Sequence, residues 1–176
     1  MKKIIFPVAI AVSLVLSAFT SYTAVTWKIS KGYAIKFSSD NPSGVFTKLD
    51  GTIVFDEANL NASKFEVNIA AASISTGNGM KNAHAKSKDW FDVKTYPNIT
   101  FSSSKVAKVG KNYEMTGSLN LHGVQKEITF PFTFANNTFT GSFEVNRLDY
   151  KIGTDKGMSG KASKTLKIDV SVPVSK

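Results

Sequence analysis

From Val25 onward, apolar and polar residues alternate with the period of β-strands for most of the chain. Trp27–Ser30 and Ala34–Ser39 are short alternating runs separated by Lys31-Gly32, and Asn41-Pro42-Ser43-Gly44 is a turn signal. Val45–Phe55 reads as a longer strand, with Gly51 inside it where a sheet would bulge or bend. Asp56–Asn59 opens a loop or single helical turn that Asn61-Ala62-Ser63 closes. Phe65, Val67, Ile69 and Ala71 then share one face while Glu66 and Asn68 take the other, the pattern of a half-buried strand.

The period changes between His84 and Phe101, where aromatics crowd together. Met80, Ala83, Ser87, Trp90 and Phe91 fall on one face of a short helix, predicted near residues 80–91 and stopped by Tyr96-Pro97. Alternation resumes with Ile99 and Phe101, turns at Val109–Asn112, and continues through Tyr113, Met115, Gly117, Leu119 and Leu121. A tight connection at His122–Gln125 leads into Ile128, Phe130, Phe132 and Phe134, so these two runs form a hairpin. After Asn136-Asn137 come Phe139, Gly141, Phe143 and Val145, and the last strand carries Leu166, Ile168, Val170 and Val172. Gly153–Lys164 has no apolar period and reads as a mobile loop. The prediction is an all-β antiparallel protein of about eight strands with one helix, and strand counting alone leaves sandwich and barrel both open.

Composition narrows the picture at the N-terminus. Met1-Lys2-Lys3 followed by the apolar run Ile4–Phe19 resembles an export signal, so residues 1–24 are expected to be cleaved and 25–176 to form one domain. Loss of its two lysines takes the formal charge from +9 to +7. The chain contains no cysteine, so neither a disulfide nor a lipid-modified N-terminal cysteine is available. The lysines are scattered and arginine occurs once, a pattern that suits solubility and transient contact with an anionic membrane surface but not nucleic-acid recognition.

The candidate chemistry is sparse. His84 and His122 are the only histidines, too few for a zinc site in a chain without cysteine, so no metal is expected. There is no Gly-x-Ser-x-Gly elbow and no phosphate loop, and a catalytic role is not expected. The inward faces are aliphatic and phenylalanine-rich; by periodicity they either fill a core or line a lumen, and Gly117 and Gly141 would leave space along the axis. Arg147, in phase with Phe139–Val145, could hold a polar head group or pair with Asp149, Asp89 or Asp92, and the structural alternative is the stronger of the two.

Three ordered motifs add to this reading. The segment His84…Asp89-Trp90-Phe91-Asp92-Val93…Tyr96-Pro97-x-Ile99-x-Phe101, the run Gly117–Lys126, and Asn146-Arg147-Leu148-Asp149-Tyr150 together resemble the YceI-like, polyisoprenoid-binding family of lipocalin-like barrels. The resemblance covers nearly all of the chain after residue 25. It implies a lipocalin-like barrel whose lumen binds a polyisoprenoid, an isoprenoid quinone or a similar long-chain lipid. On that basis the expected lumen residues are Phe65, Val67, Ile69, Trp90, Phe91, Ile99, Phe101, Met115, Leu119, Phe130, Phe132, Phe143 and Val145, with His84 and Arg147 as head-group candidates. The expected setting is the periplasm, with secretion also open, and a homodimer is compatible with the sequence. The competing account is a stress-related interaction protein with a filled core and no ligand.

Overall fold

The computed structural model describes residues 25–157 and 159–176; the export signal expected over residues 1–24 lies outside them. Among the described residues the strands are β1 (Thr26–Ile29), β2 (Ala34–Ser38), β3 (Gly44–Phe46), β4 (Leu49–Val54), β5 (Lys64–Ala70), β6 (Ile74–Ser75), β7 (Asn98–Val109), β8 (Asn112–Leu121), β9 (Val124–Ala135), β10 (Thr138–Asn146) and β11 (Thr165–Ser175). Helix α1 (Gly79–Lys86) lies between β6 and β7.

The first six strands act as three bent ones. β1 and β2 both pair with β11, β4 and β3 pair with β1 and β2, and β5 and β6 pair with β4 and β3. The wall therefore has eight members, all antiparallel, and the pairs Lys28↔Ser175 and Ile29↔Val174 close it into a barrel. A small barrel must curl, and interruptions in its strands are where it does so. Gly32, at φ +92°, breaks the first strand. Ser73, in the 3-10 turn that interrupts the third, accepts at Oγ from Thr47 N (3.2 Å) and Lys48 N (3.1 Å) at the break in the second. One bend thus satisfies backbone donors that its neighbour's bend leaves free.

Two hairpins, His122-Gly123 and Asn136-Asn137, have positive φ at both turn residues, which matches the right-handed twist of the strands they join. The second hairpin fixes the hydrogen-bond phase of β9 against β10. Ala135↔Thr138 flanks a two-residue turn and is a hydrogen-bonded pair, so Thr133↔Thr140 and then Pro131 opposite Ser142 belong to the same class. Pro131 has no N–H to give. The β9–β10 ladder accordingly stops at Gly141↔Phe132, whereas β8–β9 runs on to Leu121↔Val124 and β10–β11 to Asn146↔Thr165.

One end of the barrel is plugged by rings. Phe55, 1% exposed, lies with its centroid 5.2 Å from Phe134 and from Phe139, 5.3 Å from Tyr113, 5.9 Å from Phe132 and 6.0 Å from Phe65. Most of these contacts are edge-to-face, the arrangement that opposes the positive rim of one ring to the negative face of the next. Trp27 Nε1 donates to Phe55 O at 2.9 Å and fixes the backbone beneath the cluster.

The helix is shorter than the sequence predicts. It ends at Lys86, with Ser87 as its C-cap, and none of its residues is buried. Ser87 O accepts from both Trp90 N (3.1 Å) and Asp92 N (2.8 Å), so Trp90 and Phe91 are brought inward by turns and not by a helical face. Met80 and Ala83 are exposed. Tyr96-Pro97 follows the helix by ten residues and plays no part in stopping it.

Candidate functional site

The inward faces of the strands do not meet at the barrel axis. They surround a cavity of about 660 Å³ that runs from the aromatic floor to a mouth formed by Asn41-Pro42, Thr76 and the α1 residues Met80, Lys81, His84 and Ala85. That volume falls within the ~300–1,000 Å³ typical of small-molecule sites. A filled core, the competing expectation, would leave no such space.

All thirteen apolar residues expected in the lumen line this cavity: Phe65, Val67 and Ile69 from β5, Ile99 and Phe101 from β7, Met115 and Leu119 from β8, Phe130 and Phe132 from β9, Phe143 and Val145 from β10, and Trp90 and Phe91 from the turns after α1. Ile35, Phe37, Phe46 and Ile53 complete the wall from the bent strands. The sequence signal for these four was weak because bends interrupt their alternation before a face is established. Leu166, Ile168, Val170 and Val172 also line it, and their alternation was plain; they were read as a strand face without being assigned to the lumen. Ile152 and Ala162 reach the wall from a segment without periodicity, and no pattern marks them. Of the two inward glycines, Gly141 borders the cavity. Gly117 opens no axial space: a Cβ there would lie 2.5 Å from Phe101 Cζ, so the ring already occupies the place of the missing side chain.

His84 and Trp90 form one unit at the mouth. Trp90 Nε1 donates to His84 Nε2 at 2.7 Å, which leaves the histidine proton on Nδ1. The helix bearing His84 is held at its start by Asn78, whose Oδ1 accepts from Lys81 N at 3.0 Å. It is also tied to the chain before it by Asn82 Oδ1, which accepts from Thr76 N (2.7 Å) and Thr76 Oγ1 (2.8 Å). Phe91 packs edge-on against Phe46 at 5.9 Å.

Arg147 differs most from its sequence-level alternatives. It is 3% exposed, and its guanidinium donates to five backbone carbonyls: Nε to Ser163 O (3.0 Å), Nη1 to Ile152 O (2.8 Å), and Nη2 to Thr154 O (2.9 Å), Ser159 O (2.8 Å) and Ala162 O (3.2 Å). Asp149 pairs instead with Lys126 at 3.0 Å. Burial pushes the Arg147 pKa down, and nearby Asp155 opposes this. The guanidinium also lies 5.3 Å from the Trp90 ring. The 153–164 segment, read as a mobile loop, is therefore wound around a buried cation. The group that lines the cavity at Arg147 has its donors turned into protein.

His122 sits in the β8–β9 turn and donates from Nδ1 to Tyr150 O at 3.0 Å, with the Tyr96 ring edge-on at 4.4 Å. Like the Lys126–Asp149 pair, it ties the β8–β9 hairpin to the turn that follows β10.

A closed eight-member antiparallel barrel with a blind aromatic floor, a capped mouth and an apolar lumen defines a lipocalin-like cavity protein. The YceI-like domain model matches residues 19–174. A UPF0312 protein of Pseudomonas putida (strain W619) is 36% identical over 160 residues, covering 84% of this chain and 78% of that protein. The chain belongs to the YceI-like family. Among solved structures, Burkholderia cenocepacia BcnA superposes with a TM-score of 0.74 at 31% identity, covering 82% of this chain and 96% of that one. A polyisoprenoid-binding domain from Saccharophagus degradans, implicated in plant cell wall breakdown, shares the fold with a TM-score of 0.60 at 15% identity, covering 85% of this chain and 97% of that one.

Proposed function

We propose that the protein is an exported carrier or store for a long-chain apolar ligand, of polyisoprenoid or isoprenoid-quinone type, held in the barrel lumen. The observation that carries this reading is the cavity of about 660 Å³ enclosed by aliphatic and phenylalanine side chains. Such a wall favours hydrocarbon through removal of apolar area from water, worth about 25 cal/mol per Å², and asks for no directional partner. The Saccharophagus degradans domain, named for polyisoprenoid binding, supports the ligand class. Export rests on the pattern of residues 1–24. The role is binding and not turnover: His84 Nε2 and the Arg147 guanidinium, two of the titratable groups on the lining, are already committed to protein partners. At the mouth, exposed Met80 beside Lys81 would bring the opening onto an anionic bilayer.

Native mass spectrometry of the purified protein, followed by organic extraction, tests the reading. A stoichiometric prenyl lipid or quinone is expected, and the same spectrum reads the oligomeric state. A bare mass that persists after incubation with prenyl alcohols, prenyl phosphates and quinones would overturn it.

A further inference from the structure

The barrel wall is incomplete between β9 and β10. Below Gly141↔Phe132 the ladder is intact; above it, the hydrogen-bonding phase aims the backbone groups of Thr129 and Glu127 at those of Glu144 and Asn146, yet no ladder joins them. Pro131 is the local cause, since it removes the next donor in the series. Near the rim the two edges are drawn together again by Lys126–Asp149 (3.0 Å) and His122–Tyr150 O (3.0 Å). Between floor and clasp the seam is filled by side chains and not by backbone bonds. Phe130 and Phe143 meet at 4.8 Å, and Phe143 and Ile128 are only half-buried.

A second observation falls at the same place. A depression of about 410 Å³ on the outer face, lined by Lys36, Pro131, Thr133, Ser142 and Asp169, shares Phe132, Thr140, Gly141 and Val170 with the lumen. The shared residues sit where the ladder ends, and Gly141 places no side chain there. Asp169 is held by Lys167 at 3.0 Å and by Ser142, and its cross-strand neighbour Lys36, whose charge also acts on that carboxylate, is the cation lining the depression.

We infer that this seam is a lateral mouth of the barrel. A single-chain amphiphile with an anionic head lays that head in the outer depression, against Lys36 and the Thr133 and Thr140 hydroxyls, and passes its hydrocarbon between β9 and β10 into the lumen. Phe130 and Phe143 are the gate, since they close the seam by contact alone and can turn aside without breaking a backbone ladder. The inference rests on the lumen being a lipid site, and it adds a route and a head-group subsite separate from the α1 mouth.

The absence of cysteine makes the test direct. Thr129→Cys/Glu144→Cys, joined by a short bis-maleimide, staples the seam; Ala107→Cys/Glu114→Cys, joined in the same way, staples a pair on the β7–β8 ladder where its pairing is unbroken, beyond the register shift between Ser103 and Lys105. Each full-length protein is loaded with geranylgeranyl phosphate before stapling, and release into phospholipid vesicles is timed. The seam staple is expected to slow release by about tenfold or more, as closing a gate does, and the ladder staple to leave it within about twofold. Pro131→Val, which restores the missing donor, is expected to slow release in the same direction without any reagent. Lys36→Gln is expected to weaken retention of the phosphate but not of geranylgeraniol. Equal release from both stapled proteins and from Pro131→Val overturns the lateral mouth while leaving the lumen site intact. Failure of the unmodified protein to take up either probe overturns both.

Discussion

Replacing Arg147 separates a structural guanidinium from a ligand-binding one. Five charge-assisted bonds at about 1.5–3 kcal/mol each would sum to as much as a whole domain's stability, so they do not add. The limit is set by release of the 152–163 segment: once it lifts, its carbonyls meet water, and only the hydrogen-bonded arrangement and the contacts of Ile152 and Ala162 with the lumen are lost. Arg147→Leu is therefore expected to cost about 2–4 kcal/mol. Arg147→Lys keeps the charge but has three donors on one nitrogen, which reach at most three of five dispersed carbonyls, and about half that cost is expected. Urea unfolding reads the global loss as a lower midpoint at constant slope. Hydrogen exchange reads the local one at the amides of Ile152, Gly160, Ala162 and Ser163, which bond to Arg147 O, Lys156 O, Ser159 O and Asn41 O. An Arg147→Leu protein within about 0.5 kcal/mol of its parent, with those amides still protected, would refute the account.

Two further outcomes are expected. Phe55→Ala should cost about 3–5 kcal/mol, as ring removal does in a packed core, and should not be rescued by prenyl alcohol, because Phe55 lies behind the rings that line the lumen; a loss below about 1 kcal/mol in thermal unfolding would show that the cluster is loosely packed. Tyr113 donates to the Glu57 carboxylate, and this bond, with burial and the carboxylate's charge, pushes its pKa up to about 12 from 10.0. The folded form thus holds the phenol proton more tightly than the unfolded chain does. The resulting stabilisation, on the order of 2–3 kcal/mol, is fully present below pH 10 and is lost as pH rises towards 12. Comparing unfolding of the parent with Tyr113→Phe across that window isolates the effect, and identical pH profiles would exclude it.

Alternation of period two made most of the wall legible, because each strand has one face towards the cavity and one towards water. The closure was not, since β1 and β11 lie at opposite ends of the chain and no local pattern links them. Nor was the Arg147 hub: carbonyl acceptors belong to every residue and leave no mark in side-chain identity. Looking for a carboxylate partner followed the usual rule for buried cations and missed a loop that supplies five oxygens of its own. The helix was overextended because Trp90 and Phe91 fit its phase, although turns and not helical bonds deliver them. Pro131, by contrast, stood in plain sight within an alternating strand, where proline signals an unpaired edge.

The ring of phenylalanines around Phe55 makes the barrel a tube with one fixed stop. A hydrocarbon threaded into the lumen would come to rest against the same aromatic wall, so the distance from that wall to the point of entry would work as a ruler. Chains shorter than this depth leave apolar surface uncovered, and longer ones must fold back or protrude. The protein would then sort its ligands by chain length, with the graduation set by the aromatic side chains of the floor.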